Sequence, residues 1–354
     1  MFKRALCFCI MINTIVLASE TSYAVSNKHA FVLPKNEFQF KLSYLKVNDT
    51  LDIFNLKEDA FKDLGSIGDM NGYDLELRYG ICSQDSIFVN IQRWNVDYLD
   101  SVLQNNKYDF FNRVQILDTP HSLFTSLSFD IGYQRNSSDP INISNNNFLN
   151  SLISKISPNS NVRFNDGDIV ADDTTITLYD DNGNKIYPYI SINDLSSDSY
   201  YSQILLGKKF TNYSILDIFI GYKYTKITSG TGIYPENSII ESFTKDYTEK
   251  NLNRDEHDLT FGFAYSLQWK NLIGEFSYEF HKLFRDEQVS YLDTNHVVDA
   301  SISMAVTKNF LLFVGGKLMT SQFNTDIPYL YDEYTKTQFD HKYGFAKFGL
   351  LYKF

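Results

Sequence analysis

Along most of this chain, apolar and polar side chains change places at every residue. The pattern holds for about ten residues at a time, which is the period of a strand and not of a helix. Phe38, Phe40, Leu42 and Tyr44 fall on one face; so do Tyr73, Leu75, Leu77 and Tyr79, with Asp74, Glu76 and Arg78 between them. Leu127, Phe129, Ile131 and Tyr133 alternate with Ser128 and Asp130. Leu216, Ile218, Ile220, Tyr222 and Tyr224 alternate with Asp217, Gly221 and Lys223, and Leu259, Phe261, Phe263, Tyr265 and Leu267 with Asp258, Thr260 and Ser266. Phe276, Tyr278 and Phe280 alternate with Glu275, Ser277 and Glu279, and Phe348, Leu350, Tyr352 and Phe354 share the last face. A soluble sandwich alternates too, but its strands run about five or six residues. Here they run about nine to thirteen, the length a tilted strand needs to cross a bilayer. The polar face carries charges that cannot face lipid, so it faces a lumen, and closure satisfies the backbone groups that lipid cannot.

The expected fold is all-β: a closed antiparallel transmembrane β-barrel of twelve strands, at 37–46, 71–80, 86–96, 108–117, 122–134, 200–210, 214–226, 256–268, 272–284, 295–306, 310–322 and 340–354. Short connections contain Ser83-Gln84-Asp85, Thr119-Pro120, Thr211-Asn212, Lys270-Asn271 and Lys308-Asn309; long ones cover 47–70, 97–107, 135–199, 227–255, 285–294 and 323–339. Tight periplasmic turns and long extracellular loops alternate in this way, and an even strand count puts both termini on the periplasmic side. Thr174 to Tyr179 and Lys185 to Ile192 flank Asp181-Asn182-Gly183, a hairpin turn. If that turn belonged to the barrel the count would be fourteen, although Pro188 inside the second strand weighs against it.

Lys3 and Arg4 open the chain, Ala5 to Ala18 is mostly apolar, and Ser22-Tyr23-Ala24 follows. That is the tripartite pattern of a secretory signal peptide over residues 1–24, cleaved after Ala24, with the barrel in 25–354. The apolar run is too short for a membrane helix. Cys7 and Cys9 leave with the signal, so Cys82 stands alone and no internal disulfide can form. A net charge of −11 argues against nucleic acid as a partner.

A signal-like start, alternating strands and a final Tyr352-Lys353-Phe354 resemble bacterial outer-membrane β-barrel proteins over nearly all of the chain. The resemblance implies an outer-membrane location, contact with outer-membrane lipid and lipopolysaccharide, and a closing strand whose Tyr352 and Phe354 serve as the signal for the barrel-assembly machinery. In general porins the third external loop narrows the pore. By that analogy 135–199 folds inward; the alternative is a surface hairpin. Within it, Asn147 to Ile156 places Phe148, Leu149, Leu152, Ile153 and Ile156 at helical spacing.

The alternation assigns Lys41, Asp74, Glu76, Arg78, Asp130, Asp217, Lys223, Asp258, Glu275, Glu279, Asp299, Lys317 and Lys347 to the lumen. Such a face suits a passive, porin-like channel for small polar solutes, with no cofactor. Two other readings stand beside it: a lipid-acting enzyme with a His-rich rim, and a surface or adhesion barrel with a blocked lumen. For the enzyme, His257, His281, His296 and His341 fall near the external strand ends. Yet Ser277 and His281 lie about 13 Å apart along one strand, beyond hydrogen-bond reach, so no catalytic residue is assigned. The acidic clusters Asp166-Gly167-Asp168, Asp172-Asp173 and Asp180-Asp181-Asn182 lack the closing Glu and sixth-place Gly of a calcium loop and read as solvated turns; no metal ligand is assigned.

Overall fold

In the computed structural model the described residues are 26–47, 67–98, 101–119, 123–144, 146, 149–150, 154, 161–171, 174–211, 213–234, 250–321, 323–331 and 342–354. Twelve long strands form the wall: β1 (Phe38–Val47), β2 (Ile67–Cys82), β3 (Asp85–Tyr98), β4 (Ser101–Asp118), β5 (Ser126–Ser138), β6 (Tyr189–Thr211), β7 (Ser214–Tyr234), β8 (Arg254–Trp269), β9 (Leu272–Phe284), β10 (Thr294–Ala305), β11 (Phe310–Met319) and β12 (Tyr343–Lys353). Each pairs antiparallel with its sequence neighbours, and β1 pairs with β12 from Gln39 opposite Lys353 to Lys46 opposite Ala346. The ring closes, so no wall strand is left with a free edge. We call the end bearing Phe38, Phe354 and the short connections the turn end, and its opposite the loop end.

The exterior is apolar on strand after strand. Leu42, Tyr73, Phe110, Ile131, Ile218, Phe261, Phe276, Ile302, Val314 and Phe348 are all exposed. A continuous apolar belt of this kind has no stable contact with water. No helix among the described residues is long and apolar enough to cross a membrane; the elements that match the thickness are strands.

Several connections are shorter than the sequence suggests. The stretch 97–107 is mostly strand, because β3 runs to Tyr98 and β4 begins at Ser101, with Asn95 opposite Gln104 and Val96 opposite Leu103. β7 likewise continues to Tyr234, into the expected 227–255 loop. β6 has 23 residues and β7 has 21. A crossing takes about ten, so this pair stands well beyond the belt at the loop end, with Tyr189 opposite Tyr234. β6 starts directly after Pro188, which has no N–H to give a ladder. The 135–199 connection is therefore 139–188. Its hairpin forms a separate two-stranded sheet, Leu178 opposite Ile186, outside the wall, and the wall count is twelve and not fourteen. Asp180 Oδ1 accepts from the N–H groups of Asn182 and Asn184, and Gly183 takes φ +81°, so the turn follows the residues expected to make it. Of the 147–156 stretch, Leu149, Asn150 and Ser154 are helical; its other positions lie outside the described residues.

Two segments enter the barrel. Residues 26–36 turn back from β1 into the lumen at the turn end. Gly80 and Gly207 make room for them: a Cβ on Gly80 would sit 2.1 Å from Pro34 O, and one on Gly207 2.6 Å from Asp217 Oδ1 and 3.1 Å from Ala30 Cβ. From the loop end, the connection after β11 folds inward. Phe323, Ile327, Tyr329, Leu330 and Tyr331 are buried against Leu45, Met70, Trp94, Val96, Leu103, Val297, Met319 and Phe345, which are inward-facing residues at the loop ends of the strands. Burying each large apolar side chain contributes about 1.5–3 kcal/mol, so this cluster is the main force holding the loop inside. The inserted segment is thus 320–331, from the last connection, and not the third-loop segment expected from the porin analogy. Within 139–188, Phe164, Ile169, Val170 and Ala171 are buried on one three-stranded sheet of that excursion and Asn150 ties the helical turn to the Phe164 backbone, while Ile141 pairs beside β6 and joins the loop-end cluster.

Candidate functional site

The turn-end segment is held by polar groups from most of the circumference. His29 Nδ1 lies 2.5 Å from Asp217 Oδ2 on β7, and Nε2 lies 3.3 Å from Glu275 Oε1 on β9. With a carboxylate at each nitrogen, both nitrogens donate and the ring is an imidazolium. Burial alone would lower the His29 pKa; the hydrogen bonds to Asp217 and Glu275 outweigh it and raise it to about 9. Ala30 N donates to Asp217 Oδ1 at 2.8 Å, and Ala30 O accepts from Ser126 and Ser128 on β5. Arg113 on β4 chelates Asp130 at 2.7 Å through two nitrogens and donates to the carbonyls of His29 and Asn27. Lys28 Nζ reaches Glu279 at 2.8 Å, Ser26 N reaches Glu275 Oε1 at 3.1 Å, and Leu33 N reaches Ser86 Oγ at 2.9 Å.

The loop-end segment is fixed in the same manner under its apolar cap. Asp326 hangs below the cap with Lys317 Nζ 2.5 Å from Oδ2 and Lys107 Nζ 3.4 Å from Oδ1, while Lys223 Nζ donates to Thr325 O at 3.2 Å. Burial would raise the Asp326 carboxyl, but Lys317 and Lys107 prevail and hold it far below the usual carboxylate range. Arg254 and Arg285 share Glu256 and donate to Pro328 O and Asn324 O. Tyr329 hydroxyl donates to Asn105, and Asn136 Nδ2 donates to Asp326 O at 3.1 Å.

Between the two segments lies a cavity of about 300 Å³. Of the residues the alternation assigned to the lumen, Lys41, Asp74, Glu76, Asp130, Lys223, Asp258, Glu275, Glu279, Asp299, Lys317 and Lys347 line it. Arg78 and Asp217 also face inward, below it: Arg78 pairs with Glu76, and Asp217 holds His29. Most charges are matched across the wall: Lys347 meets Asp299 at 2.5 Å, Lys41 meets Glu76 at 3.8 Å, and His281 meets Asp258 at 2.9 Å. Asp74 Oδ1, Asn90 Oδ1 and Gln92 Oε1, on the adjoining β2 and β3, have no hydrogen-bond partner.

Sequence reasoning missed Lys28, His29, Lys107, Arg113, Glu256, Arg285 and Asp326. Lys107 fell in the stretch read as the connection 97–107, and in the next strand Phe111 on the inner face and Asn112 on the outer one blur the alternation that would have placed Arg113. Lys28, His29 and Asp326 lie outside the strands, where alternation carries no information. The histidine rim separates. His257 and His296 face outward, bonded to the hydroxyls of Tyr222 at 2.6 Å and Tyr278 at 2.7 Å, whereas His281 faces inward. His281 Nδ1 is shared by Asp258 and Thr260, and Nε2 faces Glu279 at 3.7 Å, so both nitrogens are turned to carboxylates. His121, His341 and Asp172-Asp173 lie outside the described residues. Among the described residues no group of three His, Cys, Asp or Glu has metal-holding geometry. Asp168 instead pairs with Lys185 at 2.9 Å and accepts from Thr177.

No family model matches the chain, and no curated protein matches it. Solved structures similar to it include the translocator domain of the autotransporter NalP from Neisseria meningitidis (8% identity, 91% of this chain and 90% of that one, TM-score 0.48). They also include the NanC porin (7% identity, 89% and 100%, TM-score 0.43) and the Pseudomonas putida toluene transporter TodX (7% identity, 95% and 94%, TM-score 0.43). At such scores these likenesses say nothing of what the chain does; the barrel fold rests on the closed strand register described above.

Proposed function

We propose that this chain is an outer-membrane channel for small polar solutes, closed at rest by one segment at each mouth. The turn end faces the periplasm and the loop end faces outward. The observation that carries the reading is the charged cavity of about 300 Å³ enclosed by parts of the chain that are not wall: residues 26–36 below and 320–331 above. A structural or adhesion barrel has no use for a polar space lined by charges from around the wall, whereas a solute passage does. Each inserted segment is held by side-chain contacts, polar at the turn end and largely apolar at the loop end, and not by the strand ladder, so it can leave without opening the barrel. The test is planar-bilayer conductance of purified protein. Wild type should conduct rarely and in bursts. A variant lacking residues 26–34, with 321–331 replaced by a short Gly-Ser linker, should conduct steadily. A folded double variant with no conductance would overturn the channel and leave the surface role.

A further inference from the structure

Asp326 is the only residue with which Lys107 and Lys317 form an ion pair among the described residues. The two lysines stand on β4 and β11, and Lys223 on β7 reaches the same turn of chain through Thr325 O. Three strands therefore aim ammonium groups at one point, and a carboxylate on a displaceable loop occupies it. The wall geometry exists without the loop, because each lysine is anchored in a paired strand. Lys223 has a second neighbour, Asp258 at 3.8 Å, but Asp258 is bonded at closer range by His281, at 2.9 Å. When the loop swings out, Lys107 and Lys317 lose the one carboxylate they pair with at ion-pair distance among the described residues, while Glu279 and Asp299 stay farther off around Lys317 and Asp109 and Asp74 around Lys107.

We infer that Lys107, Lys223 and Lys317 form a binding site for a solute carboxylate, and that Asp326 is a tethered stand-in for that group which keeps the outer mouth closed. The inference rests on the channel reading for the solute's passage, but not for its binding. The coupling follows from mass action. In the closed state the site is filled by Asp326, so a free carboxylate binds the open state alone and shifts the equilibrium by its full occupancy. At ten times its dissociation constant it raises the open-to-closed ratio roughly elevenfold. Carboxylate is favoured over other solute chemistry because the resident group is one, with an ammonium at each of its two oxygens.

The experiment reads loop opening directly. In a Cys82→Ser background, Thr325→Cys places a thiol beside the latch, where residue 325 is buried in the closed state. Its labelling by a charged, impermeant thiol reagent is timed in proteoliposomes in chloride, acetate, succinate or inorganic phosphate at equal ionic strength. Acetate and succinate should speed labelling several-fold over chloride. Asp326→Asn should label faster than wild type in chloride and gain little more from succinate, because the apolar cap still holds the loop while the site no longer depends on its position. Lys107→Met with Lys317→Met should lose the succinate response, and if that pair does not fold, Lys317→Gln alone should weaken it. Equal rates in chloride and succinate with Asp326 intact would overturn the latch, and a response to phosphate alone would overturn the carboxylate assignment. Conductance on the same samples separates the two claims. Succinate-dependent labelling without conductance keeps the site and ends the channel; conductance without succinate-dependent labelling does the reverse.

Discussion

Raising the pH should release the turn-end segment, and His29 sets the size of the effect. Its imidazolium lies between Asp217 on β7 and Glu275 on β9, with Arg113 on β4 and Arg78 on β2 donating to the carbonyls of neighbouring residues and Lys28 paired to Glu279. The folded pKa is raised from 6.5 to about 9. A raised value means that the stabilisation is complete below about 6.5 and is lost as pH climbs through about 9. At 1.36 kcal/mol per unit the whole effect is on the order of 3 kcal/mol, so the seated-to-released ratio should fall roughly a hundredfold between pH 7 and pH 10. The assay is bilayer conductance across that range for wild type and His29→Gln, in channels whose 321–331 loop has been replaced by the linker so that only the lower segment blocks. Wild type should open progressively above pH 8. His29→Gln should be open already at pH 7, with a flat profile, since glutamine has no proton to lose. A rise of the same shape in both proteins would show that His29 is not the responsible group.

Three further outcomes are expected. Gly80→Val pushes a side chain into the Pro34 carbonyl, so it should unseat the lower segment and raise conductance while heat-modifiable gel migration still reports a folded barrel. Removing Phe354, whose N–H bonds Phe38 O and whose ring packs on Tyr352 at 4.6 Å, should lower the amount of inserted barrel in cells while a refolded sample keeps its melting temperature within a few degrees. Deleting 144–187 and joining the ends should leave both the wall and the conductance unchanged, because the inserted loop is 320–331; a large rise in conductance would mean that the excursion also obstructs the mouth.

The wall was legible in the sequence because one physical demand, apolar outside and polar inside, repeats at every residue. All twelve strands and the inward direction of Asp74, Asp217 and Glu279 follow from it. The contents of the lumen were not legible that way. His29 and Asp326 reach their partners across 188 and 219 positions of chain, through contacts that no local period records. One signal was available. At the loop ends the inward register turns apolar, at Leu45, Trp94, Val96, Leu103, Val297 and Phe345, where a water-filled mouth would be polar. That break, together with the apolar run around Pro328, pointed to a buried insertion from the last connection. The third-loop analogy drew attention away from it.

The lower segment enters with its amino end leading. Ser26, Asn27, Lys28 and His29 line the cavity, while Pro34 lies back at the turn end against Gly80. A bulky group joined ahead of Ser26 would compete for that cavity of about 300 Å³, room for on the order of ten water molecules. Seating of the segment therefore responds to what is joined to it: an affinity tag fused directly ahead of Ser26 should prop the turn-end mouth open.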